Sequence, residues 1–300
     1  MRKTTKEDER RLIVTTKCNY DKPLSDITNL SGLNISVTTA TRRLKEVNLI
    51  SRYKRRKPFL KLKHKKAQLE WAQNYKDWTV EDWKKVIFSD KCLMRVGVDL
   101  HRQCVIRPTG AALEECYLLP TFKSGRVTIM IWACFSGERN GPILVLKQGG
   151  ISSDEYEEIL YEGLLSMVED ILKAPQDFDT ITVADENTFL FMHDNAPYHK
   201  TAAIMELLRE NNIPVMIWPA QSPDLNPIEN LWHDLKYHFY LKFRALYSSP
   251  SSSQDAFEKY RALIQECWAE QNQELIQSLI QFMPKCCQAV IDAKGSHIKY

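Results

Sequence analysis

The sequence predicts an α/β domain preceded by a small, basic, all-α region. Short apolar segments bounded by polar or Gly/Pro breakers recur from residue 84 onward, the mark of strands. Three helical patterns crowd into the first 50 residues. Charge divides the same way: residues 1–76 hold 20 Lys and Arg against 7 Asp and Glu, and the remainder holds 21 against 31, beneath a net charge of only +3. One end is built to meet a polyanion and the other concentrates carboxylates.

At 300 residues and 44% hydrophobic, the chain can bury one large core or two smaller ones. Its N-terminus, "MRKTTKEDERR", is charged, and no apolar run approaches the roughly 20 residues of a membrane-spanning helix. No membrane partner and no secretory signal are expected. The eight cysteines are scattered without a Cys-x-x-Cys pair, which excludes the usual zinc and redox motifs and fits a reduced intracellular compartment.

The first helix is expected to begin at Thr5, whose hydroxyl can cap it while Asp8 and Glu9 complement the helix dipole. A short second helix covers Leu24–Leu30 and ends at the glycine turn "SGLN". The third, residues 36–47, places Val37, Ala40, Leu44 and Val47 on one face and Thr38, Thr39, Thr41, Arg42 and Lys45 on the other. Any three-helix bundle shares this pattern, but a tight turn before the third helix matches a helix-turn-helix, whose last helix enters the DNA major groove. Thr38, Thr39, Arg42 and Arg43 are its expected contacts with double-stranded DNA. Behind it, "SRYKRRKPFLKLKHKK" holds nine Lys and Arg and no acid, so Lys54, Arg55, Arg56 and Lys57 are expected on phosphates. A solvated or nuclear-import segment would read the same way. Residues 62–82, with Ala67, Trp71, Tyr75, Trp78 and Trp83 near helical spacing, are expected to form a connecting helix.

Strands are then expected at "KKVIFSD", ending on Asp90, and at "LMRVGVD", "RQCVIRP", "VTIMIWACFS" and "GPILVLKQ". Residues 153–173 read as an amphipathic helix with Tyr156, Leu160, Leu164, Met167 and Ile171 along one stripe, followed by a polar surface stretch. Phe189–Met192 form a strand finishing on Asp194; a helix spans residues 199–210, and "IPVMIWP" is another strand. Asn226 and Pro227 start a helix with Glu229 on its first turn.

Each of Asp90, Asp194 and Glu229 thus stands at the end or start of a regular element, where a side chain is positioned well. A solvated turn opened by Asn195 and Pro197 accounts for Asp194 alone, and a capping box with Asn226 accounts for Glu229 alone. Brought together, the three would repel one another unless a cation neutralised them. Oxygen-only ligands suit Mg2+ (or Mn2+), and two such ions can serve an in-line phosphoryl displacement.

"FSD", "HDNAPYH" and "WPAQSPDLNPIENLW", in this order and with 34 residues between Asp194 and Glu229, resemble the three blocks of the Tc/mariner superfamily of DDE transposases, in the branch ending in glutamate. The resemblance implies a ribonuclease H-like catalytic domain, a mixed sheet flanked by helices, at residues 83–300, behind a helix-turn-helix DNA-binding domain at 1–60 and a helical linker at 61–82. It makes Asp90, Asp194 and Glu229 the metal-binding catalytic residues, with Asn195 and His199 supporting them or facing DNA, and Asp224 fixing the turn before the last helix. It implies cleavage at transposon terminal repeats and strand transfer into TA-containing target DNA, by a homodimer or larger assembly in the nucleus. Family members usually carry two N-terminal helix-turn-helix units, and this chain begins near the second. Lys91 stands where glutamate commonly follows the first aspartate, and a glycine-rich stretch is reduced to Gly125. The alternatives are a host-adopted or inactive transposase-derived DNA-binding protein and a ribonuclease H-like nuclease without strand transfer.

Overall fold

The computed structural model describes residues 4–52, 58–96, 127–137, 139–146, 151–173, 189–243, 246 and 251–298. The chain divides into two compact units, Met1–Lys57 and Pro58–Tyr300.

In the first unit, helix α1 (Lys6–Cys18) starts on a capping box: the Asp8 amide donates to the Thr5 hydroxyl, and the Asp8 carboxylate accepts from the Thr5 amide at 2.9 Å. Helix α2 (Leu24–Leu30) ends in a turn where Gly32 adopts φ +66°, a conformation that favours a residue without Cβ. Helix α3 (Val37–Glu46) is capped by Ser36, which accepts from the Thr39 amide. Leu12, Ala40 and Leu44 form the core. The apolar face of α3 is narrower than its sequence pattern suggests, because Val37 and Val47 are each 46% exposed.

The second unit is built on a four-stranded mixed sheet in the order β3-β2-β1-β4. Strands β1 (Val86–Val96), β2 (Val127–Phe135) and β3 (Asn140–Leu146) are antiparallel neighbours, and β4 (Leu190–Met192) runs parallel to β1. The two-residue period of a strand sends Val86, Phe88, Met94 and Val96 to one face and Ile87 to the other; in β2 it sends Ile131 and Phe135 one way, and Trp132 and Cys134 the other. Helices α4 (Leu62–Tyr75) and α5 (Val80–Lys84) share the first face with three later helices, α9 (Ile228–Lys242), α10 (Gln254–Ala269) and α11 (Gln273–Asp292). The second face is covered by α6 (Ser153–Ile159), α7 (Ser166–Lys173) and α8 (Ala202–Glu210), with a π turn, Leu160–Leu165, between the first two. No helix among the described residues is long and apolar enough to cross a membrane.

Several expectations shift. β1 does not end on Asp90; it runs on to Val96, held by pairing with β2 as far as Val96 opposite Val127. The helix expected over 62–82 breaks after Tyr75 and restarts at a capping box between Thr79 and Asp82. Its aromatic stripe is core, as such stripes usually are: Trp71 is 3% exposed and meets Trp218 at 4.9 Å between ring centroids, inside the core of the larger unit. Truncating such a side chain typically costs about 3–5 kcal/mol. "IPVMIWP" makes a single bridge, Val215 with Phe191, and the expected helix over 199–210 is a 3-10 turn, Pro197–Lys200, followed by α8. The strand expected at 102–108, the polar stretch after residue 173 and Gly125 lie outside the described residues.

Candidate functional site

Two strands and one helix end bring the acids together. β1 and β4 pair as far as Phe88 opposite Met192, and Asp90 and Asp194 each follow two residues beyond that last pair. Adjacent strands lie about 4.8 Å apart, so level residues are neighbours. The Ser89 hydroxyl fastens this junction by donating to the Met192 carbonyl at 2.9 Å. On the other side, the Asn226 amide donates to the Ser89 carbonyl at 3.3 Å while its oxygen accepts from the Ile228 amide, tying the first turn of α9 to β1. Asp90 shares the strand parity of Phe88 and Cys92, which face the α9 side, and Glu229 stands on that first turn. The capping box expected for Glu229 does not form: Asn226 itself caps α9, and its own amide donates to the Pro223 carbonyl.

Asp90, Lys91, Asp194, Asn195, Asn226 and Glu229 line one cavity of about 480 Å³. The charges within it interact. Burial pushes the Asp90 carboxyl up to about 7; the Lys91 amide, which donates to it at 2.7 Å, opposes the rise, while the charges of Glu229 and Asp194 add to it. Burial also raises Glu229, against the pull of Lys236. Asp194 behaves differently. Burial pushes it up, but a hydrogen bond and charge from His199, the Ala196 amide and Lys91 outweigh burial and hold it below the ordinary aspartate range.

His199 is 3% exposed. Its Nδ1 lies 2.8 Å from the Asp194 carboxylate and 2.9 Å from the Asp194 carbonyl, and its ring packs against those of Tyr156 and His193. This holds the Asp194 side chain in one orientation, with Nδ1 as donor. Asn195 is half-buried; its amide donates to the Trp218 carbonyl at 2.6 Å, bracing the cavity wall. Asp224 stands apart from the three acids, accepting from the Ile298 amide and lying 3.4 Å from His297.

A divalent ion suits this donor set. The three acids offer only oxygen, the charges of Glu229 and Asp194 raise the proton affinity of Asp90, and the Glu229 carboxylate has no hydrogen bond among the described residues. Among those residues, no three His, Cys, Asp or Glu side chains stand close enough to grip a single ion. Mg2+ does not require such a cage: it retains several waters and takes one or two carboxylates plus substrate phosphates.

On the helical unit, Thr38 and Arg42 are exposed on α3, and Thr39 is half-buried beside its cap. Arg43 corrects the expected DNA face. It is 6% exposed, donates to Glu46 at 2.7 Å and lies 3.4 Å from Glu9. The ion pair with Glu9 joins α1 to α3, while the hydrogen bond to Glu46 lies within α3; a charged hydrogen bond of that kind contributes about 1.5–3 kcal/mol, toward the low end here because Glu46 is exposed. Lys54, Arg55, Arg56 and Lys57 lie outside the described residues.

Sequence expectations missed three features of the site: the Asn226 tie to Ser89, the burial of His199, and the exposure of Lys91 to the same cavity as the acids. Only the last had a signal, the basic residue directly after Asp90.

Comparison with known proteins agrees with this architecture. Residues 164–248 match a family model described as DDE superfamily endonuclease, and residues 9–77 match one described as transposase. The transposable element Tcb1 transposase of Caenorhabditis briggsae is 30% identical over 295 residues, covering 98% of this chain and 97% of that protein. The Tc1 transposase of Caenorhabditis elegans is 31% identical, covering 88% of each. The Mos1 transposase paired-end complex with left transposon end shares the fold with a TM-score of 0.71 and 17% identity, over 97% of this chain and 80% of that one. A helix-turn-helix unit, a ribonuclease H-like sheet and 30–31% identity over most of the chain to the Tcb1 and Tc1 transposases establish that the chain belongs to the Tc1/mariner family of DDE transposases.

Proposed function

We propose that this DDE transposase cuts DNA at the terminal repeats of a transposon and joins the freed 3′ ends to TA-containing target DNA, with Asp90, Asp194 and Glu229 as its metal ligands. The observation that carries this reading is the convergence of the three acids on one cavity, where each perturbs the proton affinity of Asp90 or lies beside it. Two Mg2+ (or Mn2+) ions held there would acidify the attacking water or 3′-hydroxyl and stabilise the leaving oxygen.

The chain's own residues set the stage. His199 and the Ala196 amide aim Asp194, and Asn226 fixes the helix that presents Glu229 to β1. The 34 residues between Asp194 and Glu229 support placement in the glutamate-ending branch. Mos1 has been solved in paired-end complexes with Mg and with Mn and in a strand transfer complex, which supports divalent metal, paired DNA ends and a homodimer or larger assembly here. Thr38 and Arg42 on α3, with the basic run after it, would hold the end sequence, and work on chromosomal DNA would place the protein in the nucleus.

The test is an assay on duplex DNA carrying the inverted repeats that bracket the gene, supplied with a TA-containing plasmid and Mg2+ or Mn2+. The expected products are cut ends and joined plasmid. Binding without nicking would mark an inactive DNA-binding protein; nicking without joining would mark a nuclease.

A further inference from the structure

Lys91 is the one cation among the described residues that line the acidic cavity. It follows Asp90 in β1, so its side chain leaves the strand on the opposite face, the face where Tyr198 packs. There its ammonium sits 4.2 Å from the centre of the Tyr198 ring. A cation over an aromatic face is held by the ring's quadrupole without spending its N–H donors. The Lys91 backbone amide donates to Asp90, but among the described residues no carboxylate lies within 4.0 Å of the ammonium and no acceptor takes a hydrogen bond from it. A half-buried ammonium is therefore braced on Tyr198 with donors unspent, within reach of the charges of Asp194 and Asp90.

The cavity poses an electrostatic problem that this arrangement answers. A phosphodiester carries a negative charge, and to reach Asp90, Asp194 and Glu229 it must enter a space walled by carboxylates. We propose that the Lys91 ammonium binds a phosphate of the DNA strand entering this cavity, and so positions the substrate against the three acids. The inference rests on the transposase reading and adds to it a substrate-positioning residue. Lysine suits the role as a compact, strongly hydrated point charge on a flexible stem. Tyr198 limits where that charge can go, and it belongs to the same 3-10 turn as His199, which aims Asp194. One short segment thus orients both an acid and the cation beside it.

The test uses the full chain as wild type, Lys91→Met and Lys91→Arg. Methionine keeps an unbranched stem over Tyr198 and removes the charge; arginine restores the charge. Binding to the terminal-repeat duplex is measured by fluorescence anisotropy in Ca2+ over a salt series, and Mn2+ affinity is measured on the same preparations without DNA. In Lys91→Met the slope of log affinity against log salt is expected to become shallower by about 0.9, the loss of one phosphate contact. Lys91→Arg is expected to keep the wild-type slope, and Mn2+ affinity should stay within about threefold in both. An unchanged slope in Lys91→Met overturns the proposal, as does an unchanged slope with a large change in Mn2+ affinity, which would assign Lys91 to the ions. A wild type that binds but never cuts would sink the enzyme reading, while the slope would still report on Lys91.

Discussion

Asp194→Asn is expected to reduce strand cleavage by at least about 100-fold while leaving DNA affinity within about twofold. The floor comes from the behaviour of metal sites: losing a group that merely orients a ligand costs about 10–100-fold, and a ligand matters more. The fold should survive, because an amide oxygen still accepts from the Ala196 amide and from His199 Nδ1, the two contacts that hold the side chain now. What disappears is the negative charge that an ion needs. Helix α3 belongs to the other compact unit, so binding through it is unaffected. Cleavage and binding measured on one preparation decide the matter, and cleavage within tenfold of wild type would remove Asp194 from the site.

The second expectation concerns pH. With its carboxyl raised to about 7, Asp90 is largely protonated in mildly acid solution, and an ion must displace that proton. Apparent Mn2+ affinity should therefore rise close to tenfold per unit up to about pH 7 and level off above it, with Glu229, also raised by burial, steepening the acid side. The sign for the metal-free protein is the reverse. Between the unfolded value of 3.8 and about 7 the folded chain holds the extra proton, so the Asp90 contribution to stability falls as pH climbs through that range and is flat beyond it. Asp194, held below its ordinary value, contributes stability above about pH 4 and loses it as pH falls through its folded value. Titration of Mn2+ by calorimetry at several pH values, with Asp90→Asn as the control whose slope is reduced, checks this. A flat affinity profile in the wild type would show that Asp90 carries no such proton.

Local chemistry was readable from the sequence where it acts over a few residues. The Thr5 and Ser36 caps lie where the sequence places them, and α2 matches its expected span because Gly32 can take a positive φ that ends it. The approximate neighbourhood of the three acids was also readable, since the strand ahead of Asp194 and the cap ahead of Glu229 carry strong signals. Long-range pairing was not. The polar pair Asp90 and Lys91 reads as a strand end, yet β1 continues because β2 satisfies its backbone on through Val96. "IPVMIWP" has strand composition, but it lies between Pro214 and Pro219, and only the segment around Val215 bonds to Phe191. The π turn between α6 and α7 follows from packing: a side chain at Gly163 would overlap the ring of Trp132. Helices α10 and α11 have no counterpart among the sequence expectations, although Ser253 and Asn272 are ordinary cap signals. Arg43 shows the limit most plainly: its charge suggests DNA, and only the positions of Glu9 and Glu46 show that it is spent within the bundle.

Anomalous diffraction from crystals of the full chain equilibrated with Mn2+ tests the convergence of the acids most directly. The expected map has ion peaks inside the cavity, with Asp90, Asp194 and Glu229 oxygens as ligands at about 2.1 Å and the two ions about 3.5–4 Å apart. Ions bound elsewhere, or an occupied cavity in which any one of the three carboxylates takes no part, would contradict it.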